Sequence, residues 1–307
     1  MYDLIIVGGG PAGVSAGIYA ARKKIKSAII TESFGGQSIV STEIQNWIGT
    51  PSISGFDLAK QMENHLRVFK DDIDILEGDI ATSISKNEDG TFKIETREGK
   101  QLETKFILLA CGSRRRRLGI PGEDAFDGKG VVFCSTCDAP MFKDKSVAVV
   151  GGGNAGLESV HDLFPYASKI YLMVRSDALK GDPVTQEKVK ANPKVEIIYN
   201  AEAQEVLGDK FVTAIKYKDK ISGELKELKV EGVFVEIGSM PNSEIVKGLV
   251  SINERGEIIV NHQTQETSNP GIWAVGDVSD VLYKQNNISA GDGTKAVLNI
   301  YDHLRKH

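Results

Sequence analysis

The sequence predicts an α/β fold built from two Rossmann-like nucleotide-binding domains. Two observations carry this. A G-x-G-x-x-G fingerprint occurs twice, as Gly8-Gly9-Gly10-Pro11-Ala12-Gly13 and as Gly151-Gly152-Gly153-Asn154-Ala155-Gly156. Each copy is also set in β-α-β context. Leu4–Val7 and Val147–Val150 are apolar runs that lead into the glycines, a helical stretch follows, and a second apolar strand comes next, Ser27–Thr31 and Ile170–Val174. Parallel strands joined by helices, with right-handed crossovers, are the arrangement such units adopt.

Composition agrees with this class. The chain has 307 residues, enough for about two domains. A hydrophobic fraction of 41% and a charged fraction of 26% exclude disordered and fibrous classes. A formal net charge of −5 gives no footprint for nucleic acid or an anionic membrane. The longest apolar run, near Phe106–Cys111, is far short of the roughly 18 residues of a membrane span. No leader-like segment precedes the first strand, so a cytoplasmic location is expected. Glycine is over-represented, with 32 residues, and many of them fall in the two fingerprints.

The remaining elements follow in chain order. Ile75–Glu77, Phe92–Glu95 and Lys105–Ala110 read as strands, with the turn Asn87–Gly90 separating the first two. After the second fingerprint, Val195–Tyr199, Phe211–Tyr217, Leu225–Val230 and Val233–Ile237 read as short strands. Ile221–Glu224 supplies a hairpin turn between the middle pair. Ile272–Val275 is a late strand, and Asn287–Arg305 a closing helix.

The fingerprint glycines have separate tasks. The first permits a tight turn, the second lets a pyrophosphate approach the backbone, and the third lets helix and strand pack closely. The helix N-terminus offers free N–H groups to phosphate. The residue ending the second strand reads the adenosine ribose. In the first copy it is Glu32, a carboxylate that suits the ribose hydroxyls of FAD or NAD. In the second copy it is Arg175, with Lys180 nearby. These two can pair with the 2′-phosphate of NADPH, and they are equally what a solvated surface turn carries. The first site therefore reads as FAD and the second as NAD(P)H, with NADPH slightly favoured.

Cys134-Ser135-Thr136-Cys137 is a C-x-x-C motif. Such a pair closes a small disulfide, and one thiol is often acidic enough to react as thiolate. A zinc site would need a second ligand pair. Besides Cys111 there are only His65, His161, His262, His303 and His307, of which His303 and His307 alone have ligand spacing. No metal is expected. Asp138, next in sequence, can shuttle a proton to a thiol. Cys111 reads as a small buried residue in an apolar strand.

With these residues in hand, the chain resembles the low-molecular-weight thioredoxin reductases nearly end to end. Its last third is also similar to the flavoprotein subunit of alkyl hydroperoxide reductase. The match includes both fingerprints, Glu32, Gly35-Gly36-Gln37, Asn46-Trp47, the Ala110–Ser113 turn and Cys134–Asp138. It continues through Ile237-Gly238, Pro241-Asn242, Gly276-Asp277, Lys284-Gln285 and Ala290–Gly293.

The resemblance implies two Rossmann-like three-layer domains, one inserted in the other. An FAD-binding domain would comprise 1–113 and 245–307, and an NAD(P)H-binding domain 114–244 would carry the C-x-x-C. Hinges would fall near Ser113–Arg117 and Asn242–Val246. The implied FAD contacts are Gly8, Gly10, Pro11, Ala12, Gly13, Glu32, Gly35, Gly36, Gln37, Asn46, Gly112, Gly276, Asp277, Lys284, Gln285 and Asn286. The implied NAD(P)H contacts are Gly151, Gly153, Asn154, Ala155, Gly156, Arg175 and Lys180. Cys137 would be the flavin-proximal thiol, Cys134 the one that attacks a partner's disulfide, and Asp138 the acid. Family members are homodimers that serve thioredoxin.

Departures from the family pattern bear on the electron donor. The family's phosphate motif, His-Arg-Arg and then Arg, reads here Val174-Arg175-Ser176 and then Lys180. NADPH, NADH and reduced ferredoxin all stay open as donors, as does service to a peroxiredoxin-reducing system. The run Arg114–Arg117 reads as a solvated bend. Because the sequence begins at the FAD strand, the expectation is that a separate dithiol carrier is needed, in place of the extra N-terminal thioredoxin-like domains of the hydroperoxide reductase flavoprotein.

Overall fold

The computed structural model describes residues 1–41 and 43–306; His307, one of the terminal histidine pair, lies outside the described residues. The chain begins β1 (Tyr2–Val7), α1 (Pro11–Arg22), β2 (Ser27–Thr31), α2 (Gly55–Arg67), β3 (Ile73–Glu77), β4 (Ala81–Lys86), β5 (Phe92–Thr96), β6 (Gln101–Leu109) and β7 (Ser113–Arg115). It continues β8 (Val131–Val132), α3 (Ser135–Asp138), β9 (Ser146–Val150), α4 (Asn154–Leu163), β10 (Lys169–Val174), α5 (Pro183–Ala191) and β11 (Val195–Tyr199). Then come β12 (Ala201–Gly208), β13 (Val212–Asp219), β14 (Leu225–Lys229), β15 (Gly232–Val235), β16 (Ser239–Pro241), β17 (Ile272–Ala274) and α6 (Asn286–Leu304).

The chain divides into two units. One holds 1–39, 47–114 and 240–307; the other holds 40–46 and 115–239. The later passage between them lies ahead of Asn242. The Asn242 N–H donates to the Gly112 carbonyl (3.0 Å) and its Nδ2 to the Cys111 carbonyl (2.7 Å), which ties this stretch to the first unit.

In the first unit, β3-β2-β1-β6 is a parallel sheet, and β17 adds in parallel to the C-terminal half of β6. The N-terminal half of β6 instead pairs antiparallel with β5, which pairs with β4. One nine-residue strand thus serves three ladders, with β1, β17 and β5. β2 is buried at all five positions, as a central parallel strand covered on both faces must be. α1 is rich in Ala and Gly, which lets α6 approach: Ser15 Oγ donates to the Ala290 carbonyl at 2.7 Å, and a Cβ on Gly293 would overlap the Ala12 carbonyl. One core gathers Ile5, Val7, Ile30, Ile107, Leu109 and Ile272 with Ile84, Phe92 and Ile94 from the hairpin.

In the second unit, β11-β10-β9-β15-β8 is wholly parallel. One face packs Val147, Val149, Leu172 and Phe234 against Leu157 and Val160 of α4. The other packs Ala148, Val150, Met173 and Val233 against Val206, Ile215 and Tyr217 of the antiparallel sheet β12-β13-β14. Helices, parallel sheet and antiparallel sheet make three layers.

Five strands, β4, β7, β8, β12 and β16, are not predicted from the sequence, and of these β4 and β12 are longer than three residues. The sequences of these two, ATSISK and AEAQEVLG, are too polar to stand out as apolar runs. The turn Asn87–Gly90 therefore joins β4 to β5, rather than following Ile75–Glu77. Cys111 lies just past β6, outside the strand, where its Sγ donates to the Asn242 carbonyl at 3.2 Å. Burial pushes this thiol up to about 12. Among the described residues no helix is long and apolar enough to cross a membrane. No group of three or more His, Cys, Asp or Glu among them is placed to hold a metal ion.

Candidate active site

The first fingerprint turns the chain from β1 into α1. Gly8 has φ +116°, and a Cβ there would overlap the Ala110 carbonyl. A Cβ on Gly13 would overlap the Gly8 carbonyl. Gly10 is different. Its φ of −75° is open to any residue, and the nearest atom to an added Cβ is Gly36 Cα at 3.8 Å. No protein neighbour demands glycine there, so the space suits a ligand lying against the backbone. α1 starts at this point without a side-chain cap, leaving N–H groups of its first turn for an anion.

Around this turn the first unit assembles most of the residues singled out for FAD. Glu32 follows β2, and Arg97 Nη1 donates to its Oε1 at 2.8 Å. Gly36 lies beside Gly10. Gln37 Nε2 donates to Ser113 Oγ at 3.2 Å, and Ser38 Oγ to Asn286 Oδ1 at 2.9 Å. Gly276 (φ +66°) and Asp277 form a short 3-10 turn after β17. Lys284 holds that turn by donating to the carbonyls of Ser279 (2.6 Å) and Asp277 (3.4 Å), and it pairs with Glu257 at 3.0 Å. Burial alone would raise the Glu257 carboxyl; Asn253 and Lys284 outweigh it and hold it below its ordinary range. α6 begins after Gln285, again with no side-chain cap. By contrast α2 and α5 are capped by Ser54 and Asp182. Asn46 groups with the other unit and not with Gly8–Gly13.

The second fingerprint repeats the geometry. Gly151 has φ +142°, and its Cβ would overlap the Glu236 carbonyl; a Cβ on Gly156 would overlap Gly151. Gly153 has φ −94° and nothing within 4 Å of an added Cβ. α4 also starts uncapped. Asn154 Oδ1 accepts from the Asp182 N–H at 2.7 Å, and the Lys180 N–H donates to the Gly152 carbonyl at 2.8 Å. The loop from Arg175 to Asp182 is therefore pinned against the fingerprint. Arg175 and Lys180 are exposed and form no ion pair among the described residues.

In the same unit, Cys134 and Cys137 are joined in a disulfide, with Cα atoms 5.4 Å apart. Cys134 precedes the single turn α3, and the Asp138 N–H donates to its carbonyl at 3.0 Å. Asp162 of α4 anchors the turn by accepting from Ser135 Oγ (2.9 Å) and Thr136 Oγ1 (3.2 Å). Asp138 is 7% exposed. Burial, with help from Asp127 and against Arg115, pushes its carboxyl up to about 7. A carboxyl poised there can give or take a proton at neutral pH.

The sequence pattern described as "Pyridine nucleotide-disulphide oxidoreductase" matches residues 2–293. The chain belongs to this family. An alkyl hydroperoxide reductase subunit of Xanthomonas campestris pv. phaseoli is 42% identical over 305 residues, covering 99% of this chain and 57% of that protein. The Pseudomonas aeruginosa protein of the same name is 44% identical over 304 residues, covering 99% of this chain and 58% of that protein. The chain thus spans less than two thirds of the length of these relatives. Among solved structures, thioredoxin reductase from Streptococcus pyogenes MGAS5005 matches with a TM-score of 0.92 and 33% identity, covering 100% of this chain and 99% of that one. Thioredoxin reductase from Giardia duodenalis gives 0.90 and 32%, covering 99% of each.

This pyridine nucleotide-disulphide oxidoreductase chain also carries site residues that the sequence reading missed. Arg97 on the β5–β6 turn engages Glu32. Asp162 anchors the C-x-x-C turn. Arg114, Arg116 and Arg117 are exposed, as a solvated bend would have them, but two of these also hold acidic partners. Arg114 bonds Asn242 (2.8 Å) and Glu244 (2.6 Å); Arg117 pairs with Asp124 and Asp127 and lies over the Phe133 ring. Arg115 is half-buried, and its charge opposes the upward shift of Asp138. None of these has a motif. One signal was available for Glu236: Ala110-Cys111-Gly112-Ser113 and Glu236-Ile237-Gly238-Ser239 are a further repeat, with positive φ at both Gly112 and Gly238.

Proposed function

We propose that the chain is a flavin-dependent disulfide reductase. It would pass electrons from NAD(P)H through FAD to the Cys134–Cys137 pair, and from there to thioredoxin or a thioredoxin-like protein. The observation that carries this reading is the bonded C-x-x-C pair in the same unit as one of two ligand-open fingerprints. The names of the solved relatives support thioredoxin as client. Those of the curated relatives support a peroxiredoxin-reducing system as the second reading.

Residues 1–113 and 245–307 would bind FAD and 114–244 NAD(P)H, with the chain acting as a homodimer in a reducing cytoplasm. Gly8, Gly10, Gly13 and the α1 N-terminus would hold the FAD pyrophosphate, Glu32 its ribose, and Gly276, Asp277 and the α6 N-terminus the remainder. Gly151, Gly153, Gly156, Arg175 and Lys180 would hold the nicotinamide dinucleotide. Bound FAD would supply two-electron exchange with a nicotinamide and with a disulfide.

The protein's own chemistry is thiol exchange. In the reduced pair, the Cys134 thiolate attacks one sulfur of the client disulfide and the other leaves as thiolate. Cys137 then attacks the mixed disulfide at Cys134. This releases the client dithiol and re-forms Cys134–Cys137, so two electrons pass to the client. Asp138 supplies or accepts the proton at these thiols.

Cys137→Ser should leave a yellow protein without disulfide reductase activity; retained activity with thioredoxin overturns the reading. Bleaching of the bound flavin by NADPH, NADH and reduced ferredoxin, compared by stopped flow, assigns the donor.

A further inference from the structure

The two β-α-β units match in a hydrogen bond as well as in their fingerprints. In the first, the Gly35 N–H donates to the carbonyl of Gly9, the second fingerprint residue, at 3.0 Å. In the second, the Lys180 N–H donates to the carbonyl of Gly152, again the second fingerprint residue, at 2.8 Å. Gly35 and Lys180 therefore hold the same place, each in the loop that follows the second strand. The residue after each also matches: Gly36 lies against Gly10 and Pro11, and Gly181 against Asn154. What differs is the side chain, a bare glycine in one copy and an ammonium arm in the other.

The second difference is what holds the loop down. α1 opens with Pro11, which has no polar side-chain atom, and α4 opens with Asn154. Asn154 Oδ1 accepts the Asp182 N–H at 2.7 Å. Gly181 packs so close that a Cβ there would overlap Leu157 Cδ1 and meet Asn154 Oδ1 at 2.8 Å. Gln186 Nε2 donates to the Gly181 carbonyl at 2.8 Å. Asp182 Oδ2 is spent on capping α5, where it accepts the Thr185 N–H at 2.9 Å. The Lys180 backbone is thus fixed by the fingerprint on one side and by α4 and α5 on the other. Its side chain is exposed and forms no ion pair among the described residues. The end of the second strand is where such a unit reads the adenosine ribose. An unpaired ammonium held there pairs with an added phosphate and gains little from an unmodified ribose.

We propose that Asn154 is a positioning residue for nucleotide choice, a latch that holds the loop so that Lys180 meets a 2′-phosphate. This rests on the reading of the second fingerprint as the nicotinamide dinucleotide site. An Asn154 that acted only by touching the pyrophosphate would serve NADPH and NADH alike, since both carry it. A latch on Lys180 serves NADPH alone. The first unit has neither part of the device, with Pro11 in place of the latch and Gly35 in place of the cation.

The test titrates NADP⁺ and NAD⁺ into the full-length flavin-bound protein by calorimetry. Asn154→Ala should weaken NADP⁺ about fivefold, the worth of one partly exposed charged contact, and leave NAD⁺ within about twofold. Lys180→Ala should do the same. The double variant should lose no more than either alone, since a loosened loop has already lost the lysine. Gly181→Ala disturbs the contact from the loop's side and should repeat the selective loss. A second readout needs no nucleotide. Lysyl endopeptidase should cut after Lys180 about fivefold faster in Asn154→Ala than in wild type, the effect of one lost hydrogen bond on local opening. Equal weakening of the two nucleotides, no weakening, losses that multiply in the double variant, or unchanged cutting each overturn the proposal. Wild-type binding of NAD⁺ alone overturns it too. If wild type binds neither nucleotide, the dinucleotide reading of this unit fails as well, and the two failures are distinct.

Discussion

In the first unit Gly8, Gly10 and Gly13 make the turn that Gly151, Gly153 and Gly156 make in the second, with the same collisions forbidding side chains at the outer positions and the same open space at the middle one. What surrounds the two turns differs. After its second strand the first unit carries Glu32, fastened by Arg97; the second carries Arg175, exposed and without an ion pair among the described residues. Beside the first glycine stands Ala110 in one copy and Glu236, with its acidic neighbours, in the other. The backbone of the turn is shared, and the side chains around it are not; in the proposed function it is these that would choose the dinucleotide.

The largest expected effect tests the shared part. Gly13→Ala and Gly156→Ala each place a methyl inside the carbonyl of the first glycine. Each should cost about 3 kcal/mol, a large fraction of an ordinary domain's stability. Urea unfolding checks this. A large loss in one variant and none in the other would break the equivalence of the copies, and tolerance of both would refute the collision itself.

The next effect belongs to the second unit alone. Asp138 is raised from 3.8 to about 7 in the folded protein. Its contribution to stability is therefore fully present below about pH 4 and is lost as pH rises through about 7. At about 1.4 kcal/mol per pH unit, the loss is bounded at about 4 kcal/mol. Asp138→Asn should flatten that decline, so the variant gains on wild type as pH goes from 5 to 8.5. Denaturant unfolding at several pH values reads it, and an unchanged slope would show that the acidic cluster is already ionised.

The middle glycines come third. Gly10→Ala and Gly153→Ala have ordinary φ and no close protein neighbour. Each should leave thermal stability within a degree or two, yet weaken its own dinucleotide at least about tenfold, a change of about 1.4 kcal/mol. For Gly10→Ala the readout is flavin retained on purification; for Gly153→Ala it is the KM for the nicotinamide.

This pattern also explains what was legible in the sequence. The fingerprints, the apolar strands and α6 were readable because backbone sterics and burial leave marks in residue type. β4 and β12 were not, since half-exposed strands such as ATSISK alternate too weakly. Arg97 and Asp162 were hidden for another reason: each acts across a sequence distance of 26 residues or more. Arg114–Arg117 read as solvated because a run of like charge usually is, and only the fold brings Glu244, Asp124 and Asp127 to meet it.

The smallest effect is at Arg175, and it decides how far the second site departs from the first. A guanidinium at the end of β10, held near the fingerprint by the Lys180–Gly152 and Asn154–Asp182 bonds, is free to pair with a 2′-phosphate. One such charged hydrogen bond, partly exposed, is worth about 1.5 kcal/mol. Arg175→Ala should therefore raise the KM for NADPH about tenfold and leave that for NADH within a factor of two, with kcat unchanged for both. Arg175→Glu would copy the first unit's Glu32 and should reverse the preference, since a carboxylate repels the phosphate and accepts from the free ribose hydroxyls. If neither variant separates the two nucleotides, Arg175 is a surface charge, and the ribose position of the second unit discriminates nothing.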